Sequence, residues 1–101
     1  MNALFVIDGC PAENRRAREA LRIASGISPW GKVRPTICFK NNHGQPLDQA
    51  YNPEIGRYLN LLRETSGGIF TLVKSEVDWL RQIDQASLAG LEADSDTVLR
   101  F

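Results

Sequence analysis

Two cysteines, one histidine and a carboxylate at the end of an apolar run are the groups in this 101-residue chain whose placement invites chemistry. Cys10 sits in Asp8-Gly9-Cys10-Pro11, just ahead of a stretch with helical spacing that carries Arg15 and Arg16. A thiol in front of a helix feels the positive end of the helix dipole, and arginines nearby favour the thiolate. Such a thiolate can attack or carry a persulfide. Cys10 is therefore the candidate catalytic residue, with Asp8, Arg15 and Arg16 as supporting groups. The plainer alternative for Cys10 is a small turn residue, and for Asp8 a carboxylate that accepts hydrogen bonds from its own loop. Cys38, inside an apolar stretch, reads as a buried filler. His43 stands in a polar loop with no partner nearby in sequence and reads as solvated.

Other chemistries find no support. There is no G-x-G-x-x-G or G-x-x-x-x-G-K-[ST] pattern for phosphates. The two thiols and single imidazole lack metal-ligand spacing, so neither metal nor cofactor is expected. Trp30, Trp79 and Tyr51 are not interleaved with basic residues in the manner of a nucleic-acid surface.

The elements that must position Cys10 begin with Ala3-Leu4-Phe5-Val6-Ile7. An unbroken apolar run suits a strand covered on both faces, as in a parallel sheet. Loops leaving the carboxyl ends of such strands are where open α/β folds place ligands. Ala17, Ala20, Leu21, Ala24 and Ile27 then follow helical spacing, closed by Gly26 and Ser28-Pro29. Arg15, Arg16, Arg18 and Arg22 occupy the rest of that helix and read as a solvated face with pairs such as Arg15 with Glu19. Val33 to Phe39 is a second strand, firm from Thr36 because Pro35 cannot donate to a ladder. Residues 40–52 form the longest irregular stretch. Pro53 opens a second helix capped by Asn52, with Ile55, Tyr58, Leu59 and Leu62 on one face. Gly67-Gly68 ends it, and Ile69 to Val73 is a third strand. Ser75-Glu76-Val77-Asp78 resembles a capped helix start, predicting a third helix with Val77, Leu80 and Ile83 on one side. Gln85 to Ala93 suits either a short helix or a strand and loop. Thr97 to Phe101 is a final strand after an Asp94-Ser95-Asp96 turn.

Strands alternating with helices predict an α/β fold: a three-layer α/β/α arrangement around a mainly parallel sheet of four to five strands, with the first strand interior. The length predicts one domain over residues 1–101. Net formal charge is zero, with +3 on residues 1–50 and −3 on residues 51–101. Bulk attraction to nucleic acid or anionic lipid is not implied. No stretch approaches the roughly 18 apolar residues of a membrane span, and no signal peptide is read at the start. A cytoplasmic protein without a structural disulfide is expected.

Leu4-Phe5-Val6-Ile7-Asp8-Gly9 followed by Ala20-Leu21-Arg22-Ile23-Ala24 resembles the DsrE-like family, which includes the DsrEFH and TusBCD sulfur-relay proteins and YchN. Tyr51-Asn52 leading to Ile55-Gly56-Arg57-Tyr58-Leu59, Leu62 and Gly67-Gly68 is similar to its middle section. Ser87-Leu88-Ala89-Gly90-Leu91, Ala93-Asp94-Ser95-Asp96-Thr97-Val98-Leu99 and Phe101 are similar to its close. The resemblance implies a three-layer fold, cytoplasmic location, assembly into trimers or hexamers, and persulfide transfer among sulfur-carrier proteins in members with an active cysteine. That cysteine follows the family's third strand. The corresponding place here, Val73-Lys74-Ser75, has no thiol. Two readings follow: a non-catalytic oligomeric scaffold or regulatory subunit of sulfur metabolism, or a persulfide carrier using Cys10.

Overall fold

A computed structural model describes residues 1–9, 11, 14–40, 53–73 and 79–101. Cys10, His43, Tyr51, Asn52 and residues 74–78 lie outside the described residues. Five strands form one parallel sheet: β1 (Asn2–Ile7), β2 (Arg34–Phe39), β3 (Gly68–Thr71), β4 (Arg81–Gln82) and β5 (Thr97–Arg100), in the order β4-β3-β2-β1-β5. The helices are α1 (Arg15–Ile27), α2 (Pro53–Thr65) and α3 (Gln85–Asp94), and a 3-10 turn over Ser28–Trp30 follows α1. The three-layer, mainly parallel architecture expected from the sequence is the one found, and β1 is interior as its apolar run requires.

Successive side chains of β1 point to opposite faces, and both faces are covered. Ala3, Phe5 and Ile7 pack with Ala17, Ala20, Leu21 and Ala24 of α1 and with Ile55, Leu59 and Leu62 of α2. Leu4 and Val6 pack with Cys38 and Leu88 on the other face. The layering follows from handedness. The chain moves outward from β1 to β2 and β3 with α1 and α2 on one face. It then returns past β1 to β5, and a right-handed crossover in the reverse direction puts α3 on the opposite face.

Pro35 is tolerated inside an interior strand for a local reason. Its carbonyl accepts from the Gly67 N–H at 2.8 Å, so its nitrogen also faces β3, just ahead of where that strand begins. On the other side Arg34 N–H donates to Met1 O at 2.8 Å, so the strand starts one residue before the proline.

The third helix expected to carry Leu80 and Ile83 on one side is corrected. Arg81–Gln82 pairs with Phe70 and Thr71 as β4, and Ile83 N–H donates to Thr71 O at 2.9 Å. Leu80 and Ile83 join opposite cores, as residues an odd number apart do in an extended segment. The ambiguous stretch after it is α3, started by the Asp84 carboxylate accepting from Ser87 N–H at 2.8 Å.

Candidate functional site

Parallel strands bring their carboxyl ends to one edge of the sheet. The residues there are Asp8 after β1, Lys40 after β2, Leu72 and Val73 after β3, and Phe101 after β5. Backbone bonds lace this rim together. Asp8 N–H donates to Phe101 O, Lys40 N–H to Ile7 O and Leu72 N–H to Phe39 O, each at 2.9 Å. Below it, the Phe101 ring stacks on Phe5 at 5.8 Å between centroids, with 3° between planes. The loop that holds Cys10 thus leaves a fixed rim.

Gly9 and Asn14 set the geometry on either side of that loop. Gly9 has φ of 144°, a conformation that side chains disfavour. A Cβ there would come within 2.8 Å of Asn14 Nδ2. Asn14 is the cap of α1: its Oδ1 accepts from Arg16 N–H at 2.9 Å and Ala17 N–H at 3.2 Å. The bare glycine lets the cap side chain close over the turn. Pro11 is buried beside it. The cap of α1 is thus Asn14, while Glu13 lies outside the described residues.

The candidate supporting residues are placed unequally. Asp8 is exposed at the rim, and its carboxylate accepts no hydrogen bond among the described residues. Arg15 and Arg16 are exposed at the first two positions of α1. The expected Arg15–Glu19 pair is not formed. Glu19 instead takes both bonds from Arg22, Nη2 at 2.8 Å and Nε at 3.0 Å. The Glu19 carboxyl is held below the ordinary range by that hydrogen bond, then by the charges of Arg22, Arg15 and Arg18. Arg15, Arg16 and Arg18 have no ion pair among the described residues.

Cys38 is fully buried, as the sequence suggested, and burial pushes its thiol up to about 11. A thiol so protonated is no nucleophile at neutral pH. At the end of β3 the Thr71 hydroxyl both accepts from Val73 N–H at 3.1 Å and donates to Val73 O at 3.2 Å, tightening the turn where the resemblance places a cysteine. Among the described residues no group of three His, Cys, Asp or Glu could hold a metal ion. No helix among them is long and apolar enough to cross a membrane.

Sequence reasoning missed one feature. Arg15, Arg18, Glu19 and Arg22 of α1 and Glu54 of α2 line an open groove of about 180 Å³ on the outer surface. The signal was present as arginines at i, i+3 and i+7, one face of a helix. Glu54 also accepts from the Tyr58 hydroxyl at 2.8 Å.

No protein-family model matches the chain, and no curated protein matches it either. Among solved structures it is similar to the YchN protein from E. coli. The TM-score is 0.77 at 17% identity, covering 100% of this chain and 99% of that one. The chain therefore has the YchN fold, which is the fold that the DsrE-like resemblance implied.

Proposed function

We propose that this protein is a non-catalytic, oligomeric member of the DsrE-like group, a scaffold or regulatory subunit in intracellular sulfur metabolism. The observation that carries the reading is the segment after β3, Leu72-Val73-Lys74-Ser75, which has no thiol where the resemblance expects the sulfur-carrying cysteine. Cys38 offers no substitute, because it is sealed in the core with its thiol protonated.

Oligomer formation draws support from the second face of the sheet. Among the described residues one ten-residue helix, α3, lies over it, and Phe70, Leu72, Ile83, Leu91 and Val98 are only partly buried there. On the other side of the sheet, Trp30 after α1 is 77% exposed and Leu99, in register with Phe5, 39%. Small domains gain core margin by covering such surface with a neighbour. Sedimentation at micromolar concentration should find an assembly, and a stable monomer would sink this part of the reading.

The second reading makes Cys10 the sulfur carrier. It is favoured by the rim: the loop after β1 opens on the same edge as the loop after β3, and Arg15 and Arg16 start the helix that follows. Incubation with a persulfide donor, followed by mass spectrometry of native protein, separates the two. The scaffold reading expects no added sulfur on Cys10. One extra sulfur on wild type that is lost in Cys10→Ser would replace it with the carrier reading.

A further inference from the structure

We propose that the arginine-lined groove between α1 and α2 docks an extended acidic segment of a partner polypeptide. The inference goes beyond the sulfur reading and does not depend on Cys10. Helices favour acidic residues in the first turn, where the dipole is positive. The first turn of α1 has none, and carries Arg15, Arg16 and Arg18 instead. These charges work against the dipole and form no ion pair among the described residues, where Arg22 holds Glu19, the glutamate of α1 that lines the groove. Local rules broken without a structural gain are where function is expected.

The geometry selects the ligand class. Arg15, Arg18 and Arg22 share one helix face and line the groove. Arg18 and Arg22 are separated by a rise of about 6 Å. Carboxylates at alternate positions of an extended segment face one way at about 6.7 Å spacing, which matches. The groove is open, with Arg15 and Arg22 exposed and Arg18 half-buried, so a single small anion gains little from it. A polyvalent segment engages several at once. Glu19 and Glu54 interrupt the positive stripe, which disfavours a continuous phosphate backbone but not spaced carboxylates. The Arg22–Glu19 pair is exposed on both sides, so it exchanges readily for an incoming carboxylate.

The test uses the full chain and a fluorescein-labelled peptide of alternating glutamate and serine, read by anisotropy across salt concentrations. Wild type should bind, more weakly as salt rises. Arg15→Glu/Arg18→Glu should weaken binding at least about tenfold, as loss of two charge-assisted contacts implies. Lys32→Glu/Arg81→Glu, the same charge change at exposed sites outside the groove, should change it less than about twofold. The groove variant places acids at a helix start, so its thermal midpoint should not fall. The proposal is overturned if wild type fails to bind or if both double variants lose affinity equally. It is overturned too if an RNA oligonucleotide of matched charge displaces the peptide more effectively than unlabelled peptide does. Self-association of wild type that the groove variant abolishes without peptide would assign the face to a second copy and overturn it as well.

Discussion

Replacing Gly9 by alanine tests how the loop of Cys10 is held. Two costs add. At φ of 144° an L-residue is strained, a penalty of about 1–3 kcal/mol. The new Cβ would also sit 2.8 Å from Asn14 Nδ2, forcing that side chain off Arg16 N–H and Ala17 N–H. Loss of a helix cap costs about 1 kcal/mol. The sum is about 2–4 kcal/mol, a large share of the roughly 5–15 kcal/mol that holds a domain of this size. Urea unfolding should show the midpoint falling with an unchanged slope. The cap share is isolated in a cycle with Asn14→Gly: in that background Gly9→Ala should cost about 1 kcal/mol less. A Gly9→Ala variant within about 0.5 kcal/mol of wild type would refute the strain argument. Equal costs in both backgrounds would refute the link between the glycine and the cap.

Leu21, fully buried between α1 and the sheet, should cost about 2–5 kcal/mol as Leu21→Ala, measured by denaturant unfolding. Cys38 contributes a pH dependence of known sign. Its folded thiol is raised from 9.0 to about 11 by burial. Its contribution is therefore whole below pH 9 and is lost as pH rises through about 11, which stability curves of wild type against Cys38→Ala will show. Asp84 has the opposite sign: Ser87 bonding holds its carboxyl below 3.8, so stability present above that pH is lost as acid titrates it. Asp84→Ala should lower the thermal midpoint near neutrality and lower it less in acid, by thermal unfolding at both. Arg16→Glu should raise stability by about 0.3–1 kcal/mol through the helix dipole.

The legible parts of the fold were those with a single strong period. Ala3 to Ile7 could only be a strand covered on both faces, and Ile55, Leu59 and Leu62 only one face of a helix. Leu80 and Ile83 misled, because a separation of three residues fits a helix stripe and also fits opposite faces of a strand. Pairing with β3, a contact outside the local pattern, decided between them. At the site, Cys38 was read correctly from its apolar neighbours alone. The partner of Glu19 was not readable, since Arg15 at i−4 and Arg22 at i+3 are both within reach on a helix and only side-chain geometry chooses.

That choice gives the α1 surface its character. Had Glu19 turned back to Arg15, the charge at the helix start would have been answered locally and the face would have been an ordinary solvated one. Glu19 turns forward, and the surplus positive charge stays at the end of the helix nearest the rim. The same few residues hold the opposing features. Asn14 and Gly9 close the turn as stability demands, while Arg15, Arg16 and Arg18 follow it with the sign that stability opposes. A helix start capped by Asn14 yet charged against its own dipole suits a surface kept for another molecule. Docking and stability are tied together in opposite directions: substitutions that weaken acidic-peptide binding at Arg15 and Arg18 are those that ease the helix.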